Sequence, residues 1–125
     1  MHEIKYYNKG KGIFIPNGYD NTFYPSEKKR NFFRKTKNIT KKTFVIGLAA
    51  RFHKEKNFKN LINSFKLFSK NKKNVYLYLK GKNVSIKNIY FKNYLANISK
   101  KNFKLDSTSS NMLDFMNGFD LFVLP

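Results

Sequence analysis

FVIGLAARFHKEKNFKNLINSF, Phe44 to Phe65, runs an apolar strand into a short basic loop and then into an amphipathic helix. Thr43 to Ala49 is a near-continuous apolar run, the pattern of a strand buried on both faces of a parallel sheet. Phe58, Leu61, Ile62, Phe65 and Phe68 then recur at helical spacing with lysines on the other side, which predicts a helix packed on that sheet. Between them the loop holds Arg51 and Lys56, five residues apart. In an open parallel sheet, ligands sit outside the carboxyl ends of the strands, and a helix amino end there offers unpaired N–H groups. The arrangement therefore suits an anionic phosphate group. Arg51 can fork two donors onto phosphate oxygens, while Lys56 supplies a more mobile point charge. At about 1.5 to 3 kcal/mol per charged hydrogen bond, the pair contributes about 3 to 6 kcal/mol before the entropic cost of association, near the roughly 4 kcal/mol of a millimolar site. A base pocket or a second domain has to add to them for tight nucleotide binding.

Outward from this stretch, strand-like and helix-like patterns alternate. Val75 to Leu79 reads as a second strand ending at Gly81, where the chain turns without steric penalty. Ser85 is placed to cap a second helix with Ile86, Ile89, Tyr90, Tyr94, Leu95 and Ile98 as its apolar positions. A brief strand, Phe103 to Leu105, comes next. Ser110 or Asn111 then caps a helix carrying Met112, Phe115, Met116 and Phe119, and Asp120 leads into a strand at Leu121 to Leu124. The order β-α-β-α-β-α-β requires crossover connections and gives an α/β fold, a Rossmann-like parallel sheet with flanking helices, with right-handed crossovers expected. Upstream, Ile13 to Ile15 reads as a lead-in strand followed by the turn signature Pro16, Asn17, Gly18. The stretch KKRNFFRKTKNITKK, Lys28 to Lys42, has eight cationic residues and no acid; it reads as a solvated connector. The division expected is residues 1–42 as lead-in strand and basic linker, and 43–125 as a partial Rossmann-like domain.

Composition bounds the function classes. With 41% hydrophobic and 18% aromatic residues, the 125-residue chain has material for a core despite a formal net charge of +19, and is not compositionally disordered. The absence of cysteine and the wide separation of His2 and His53 leave no ligand cluster for a metal and no disulfide. No metal and no cofactor is expected. No run approaches the roughly 20 apolar residues of a membrane-spanning helix, and Met1 opens no signal-peptide pattern. A soluble, cytoplasmic protein is the expectation, with peripheral contact at the inner face of an anionic membrane as an extension of it. The lysine excess has two readings. Lys, Asn, Ile, Phe and Tyr all have A/T-rich codons, so genome base composition accounts for much of it; alternatively the charge meets an anionic partner.

The order IPNGYD, Phe23, IGLAARFHKEKNFKNLI, VYLYLKG and MLDFMNGFDLFVLP resembles the carboxyl-terminal, donor-binding domain of GT-B glycosyltransferases of the family often called group 1 or family 4. The likeness extends from about Ile15 to Pro125 and is strongest at Pro16 to Asp20, Gly47 to Phe65 and Asp120 to Pro125. It implies that Arg51 and Lys56 hold the diphosphate of a nucleotide-sugar donor, UDP- or GDP-linked, and stabilise charge as it leaves. Gly81 faces the same crevice, where it either serves only the turn or admits a close approach of the base. Two departures stand out. The family's glycine after the third strand is replaced by LDSTSSN, Leu105 to Asn111, and the family's serine, glycine-rich loop and paired glutamates beyond the last strand do not occur.

The resemblance implies a fragment of a retaining glycosyltransferase of hexosyltransferase type. It would transfer a sugar to a glycan or lipid-linked acceptor in surface polysaccharide or lipopolysaccharide synthesis, with the fragment alone inactive and no catalytic residue within it beyond the assistance of Arg51 and Lys56. No Asp-x-Asp motif is present for metal chelation, so cationic side chains and helix ends would carry the leaving diphosphate's charge. Two alternatives remain open from the residues: a basic RNA- or nucleic-acid-binding module, for which no specific motif occurs, and a non-functional glycosyltransferase remnant.

Overall fold

Two adjacent strands, each buried on both faces, build the molecule. In β1 (Phe44–Ala49) and β2 (Val75–Lys80), Ile46, Leu48, Val75, Leu77 and Leu79 point to one side of the sheet, and Val45, Tyr76 and Tyr78 to the other. The computed structural model describes Ile15, Pro16, Gly18, residues 24–108 and residues 111–125. Within these, β3 (Phe103–Asp106) and β4 (Leu121–Phe122) complete a sheet of order β3-β2-β1-β4 with every pairing parallel. Phe44 pairs with Val75 and Ile46 with Leu121.

One face is covered by α2 (Phe58–Ser69) and α3 (Ile89–Tyr94), whose Phe58, Leu61, Ile62, Phe65 and Phe91 join the larger core. The other is covered by α1 (Glu27–Thr36) and α4 (Met112–Asn117), through Phe33, Phe115 and the following Phe119. Gly47 is required on that side, because a Cβ there would overlap the Phe119 ring; likewise a Cβ on Gly118 would overlap Phe33. This α/β sandwich is the expected fold class, and α2 and all four strands fall where the patterns put them, β4 being shorter than expected.

Three expectations are corrected. The basic stretch from Lys28 to Lys42 is not a solvated connector through its first half: α1 occupies Glu27–Thr36, capped by Ser26, whose hydroxyl accepts from the Lys29 N–H. Its lysines are solvated on one side while Phe33 and Arg34 are buried. The second helix is shorter and begins later than a Ser85 cap predicts. Ser85 instead closes a turn, accepting from the Lys87 N–H, after Asn83 adopts a positive φ of 63°; Asn88 caps α3. The later start rotates the helix face, so Phe91 and Leu95 are buried while Ile86, Ile89 and Tyr90 stay exposed. The third helix is capped by Asn111, but Met112 is exposed. The lead-in strand at Ile13 to Ile15 and the turn at Asn17 lie outside the described residues, apart from Ile15, Pro16 and Gly18, which are exposed and in no regular element.

Candidate functional site

The sheet order places a topological switch between β1 and β4. From β1 the chain steps outward through β2 to β3, with α2 and α3 on one face; it then returns by α4 on the other face to pair β4 with the opposite edge of β1. The chain therefore leaves β1 toward one face and reaches β4 from the other, and in open parallel sheets a ligand is expected at the carboxyl ends of the strands beside such a switch. The loop carrying Arg51 and Lys56 starts there.

Backbone and aromatic anchors hold this loop on both sides of Arg51. The Ala50 N–H donates to Lys80 O and the Phe52 N–H to Lys82 O, each at 2.9 Å, so the loop continues alongside the exit of β2. The Phe52 ring sits against Phe58, Tyr90 and Phe91 at centroid distances of 5.8, 5.5 and 5.2 Å. A single 3₁₀ turn, Lys54–Lys56, follows, with His53 Nδ1 accepting from the Glu55 N–H. Asn57, in the left-handed region at φ 40°, redirects the chain into α2; asparagine tolerates that conformation better than most side chains. Glu55, the loop's acid, lies beside His53, with Oε2 3.5 Å from Nδ1. Arg51 and Lys56 are exposed, and among the described residues neither side chain has a hydrogen-bonding or ion-pair partner. The structure thus puts both on one short loop at the switch point with their donors unspent.

Gly81 abuts the same loop. Its φ is +149°, and the position of a Cβ is filled by the carbonyl oxygen of Ala50. The glycine is required for this close passage of two backbones, whether or not a ligand approaches.

Two charged clusters escaped the sequence reading. At the ends of β2 and β3, Lys80 is 1% exposed and its Nζ lies 3.1 Å from Asp106 Oδ2, 3.1 Å from Thr108 Oγ1 and 5.6 Å from the centroid of the Phe115 ring. The Tyr78 hydroxyl also donates to Asp106 Oδ2 (3.0 Å), and the Thr108 N–H to Oδ1 (2.9 Å). Burial alone would raise the Asp106 pKa; the hydrogen bonds from Thr108, Lys80 and Tyr78 outweigh it and hold the carboxyl well below the usual carboxylate range. Burial, then the charge of Asp106, pushes the Tyr78 phenol up. The signal available was a lysine at the final inward position of VYLYLK, a place where an unpaired charge is too costly. The second cluster joins α1 to β1 and β4. Asp120 accepts from the Val45 N–H (2.7 Å) and pairs with Arg30 and Arg34; Arg34, 3% exposed, also donates to the carbonyls of Gly118, Thr40 and Thr43. Burial pushes the Asp120 pKa up, but the Val45 N–H and the two guanidinium groups bring it below its ordinary value. The Lys80 cluster is internally paired at the carboxyl ends of β2 and β3 and the Asp120 cluster at the amino ends of β1 and β4, whereas Arg51 and Lys56 stand exposed beyond the carboxyl end of β1.

No protein-family model and no curated protein matches the sequence. Solved structures do match in shape. WaaG, a glycosyltransferase involved in lipopolysaccharide biosynthesis, superposes with a TM-score of 0.69 at 13% identity, over 88% of this chain and 30% of WaaG. Anabaena Alr3699/HepE, solved in complex with UDP and glucose, gives a TM-score of 0.66 at 21% identity, over 85% of this chain and 29% of its own. At such identities the likeness is one of fold: the parallel sheet and its flanking helices match the carboxyl-terminal domains of GT-B glycosyltransferases. The chain spans under a third of either neighbour's length.

Proposed function

We propose that this chain is the nucleotide-sugar-binding part of a retaining glycosyltransferase of group 1, or family 4, with Arg51 and Lys56 gripping the donor's diphosphate. The observation that carries the proposal is the pair of exposed, unspent cations on an anchored loop at the switch point of a GT-B-like sheet. A diphosphate seated there would meet a forked guanidinium from Arg51, the ammonium of Lys56 and the amino end of α2. As the glycosidic bond to phosphate breaks, charge builds on the leaving oxygen, and these fixed cations favour that state more than the ground state. Gly81 sets the floor beside the loop by letting Ala50 pass close.

HepE's UDP supports a nucleoside diphosphate as the ligand class, and WaaG's role supports a glycan or lipid-linked acceptor. Surface polysaccharide or lipopolysaccharide synthesis is the setting that WaaG's role supports. Such an enzyme would act from the cytoplasm; among the described residues no helix is long and apolar enough to cross a membrane.

Diphosphate dependence tests the ligand class. Titration of the labelled chain with UDP, GDP and uridine, followed by amide chemical shifts, is expected to move Ala50 to Phe58 with either diphosphate and to leave them still with uridine. Equal shifts with uridine would remove the phosphate from the account.

A further inference from the structure

Because every strand of the sheet runs parallel, the segments that enter β1, β2 and β3 lie together at its amino end. Residues 37–43, 70–74 and 99–102 carry eight lysines in sixteen positions and no acid, and all eight lysines are exposed. Part of that charge has a structural role. Lys37 and Lys70 close α1 and α2, where a cation answers the carbonyl end of a helix, and Lys72 lies over the Phe68 ring at 5.0 Å. Lys73 and Lys101 have neither role.

These two lysines line a hollow of about 240 Å³ at the strand entries, together with Asn74 and Asn102, and no acidic residue lines it. Among the described residues, none of the four side chains has a hydrogen-bonding or ion-pair partner. The backbone around them is held. Buried Arg34 donates to the carbonyls of Thr40 (3.3 Å) and Thr43 (2.9 Å) on one wall; the Phe44 N–H donates to Asn74 O and the Asn102 N–H to Ser99 O, each at 2.8 Å. We infer that this hollow is an anion site for free orthophosphate or pyrophosphate, with Lys73 and Lys101 supplying the charge and the amides of Asn74 and Asn102 donating to the remaining oxygens.

Size and lining select this ligand. The volume lies below the roughly 300 to 1,000 Å³ of sites for drug-sized molecules, which suits a compact anion better than a nucleotide. A nucleic acid needs an exposed ring on which to stack a base, whereas Tyr76, the aromatic of the lining, is half-buried and set edge-on to Tyr78. A bilayer needs apolar groups to insert, and Ile39 and Val75 in the lining are 8% and 7% exposed. The six residues of β1, about 20 Å at 3.3 Å per residue, separate this end from the Arg51 loop. The inference therefore stands apart from the donor site. An anion seated here joins the entries of β2 and β3, and by binding only the folded chain it raises the stability of the fold.

Titration of the labelled chain with pyrophosphate, at an ionic strength held constant with sodium chloride, tests the site through amide shifts and thermal melts. Saturable shifts are expected at residues 38–43, 73–76 and 101–102, with the Tm rising as the site fills. Lys73→Gln/Lys101→Gln is expected to weaken this binding about tenfold or more; both positions are exposed, so the melt in chloride alone stays that of the wild type. Lys28→Gln/Lys35→Gln removes the same charge from exposed positions on α1 and is expected to keep the affinity within about twofold. Pyrophosphate at the donor loop is read separately: Arg51→Ala should lose shifts at Ala50 to Phe58 and keep those of the hollow. Shifts at the hollow no larger than those from added chloride, equal weakening by the α1 control, or loss of the hollow's shifts in Arg51→Ala would each overturn the inference.

Discussion

Asp120→Ala removes the anchor shared by α1, β1 and β4. Its carboxylate accepts from the Val45 N–H and pairs with two arginines, of which Arg34 is buried and Arg30 is 30% exposed. Breaking a buried ion pair by deleting one partner costs about 3 to 5 kcal/mol. Here the cost is smaller, because Asp120 is itself 23% exposed and Arg34 keeps three backbone carbonyls after the loss. A loss of about 2 to 3 kcal/mol follows, against a total stability of about 5 to 15 kcal/mol for a domain. For a chain of this size it corresponds to a fall in Tm of about 6 to 15 °C. The companion variant Arg30→Ala, which removes the more exposed partner, should cost about 0 to 1 kcal/mol. Thermal melts followed by far-ultraviolet circular dichroism measure both. A melt of Asp120→Ala within about 2 °C of wild type, or one matched by Arg30→Ala, would refute the reasoning that the buried Arg34 sets the cost.

Two further outcomes follow from the packing and the titrating groups. Asp106 and Asp120 both have folded pKa values below the ordinary carboxylate value of 3.8, so each contributes stability that is present above the unfolded pKa and lost as pH falls through the folded one. The Tm should hold from neutral pH to about pH 4 and then drop, with a shallower drop in Asp106→Asn despite its lower starting point; a slope unchanged in that variant would exclude Asp106 as a source. Phe91→Ala, which empties a fully buried site in α3, should cost about 3 to 5 kcal/mol, whereas Ile89→Ala should stay within about 0.5 kcal/mol. Urea titration distinguishes them, and the reverse order would mean that the helix faces the other way.

How far the sequence reveals this fold depends on how each segment is stabilised. β1, its loop and α2 were legible because a doubly buried strand and a helix with one apolar stripe leave distinct periods. α1 was not: with lysine or arginine at five of its ten positions, its inward face rests on one phenylalanine and on an arginine whose burial depends on Asp120, ninety positions or nearly so along the chain. α3 was misplaced because a positive-φ asparagine and a serine-closed turn use up Asn83 to Asn88 before the helix starts, and a cap at Ser85 looks equally good locally. Lys80 and Asp106 pair across adjacent strands, a relation that only the register of β2 on β3 makes visible. The position of the loop between β1 and α2, with Arg51 and Lys56 on it, was readable in advance, while the close passage of Ala50 over Gly81 required the folded backbone.

The central claim is that Arg51 and Lys56 together grip a nucleoside diphosphate. Titration of UDP into the wild-type chain, Arg51→Ala and Lys56→Ala tests it directly. The account predicts weak wild-type binding, about millimolar, and a loss of about tenfold or more in each variant with the melt unchanged, since each exposed cation supplies about 1.5 kcal/mol or more to the phosphates. The same UDP affinity in all three proteins would contradict it.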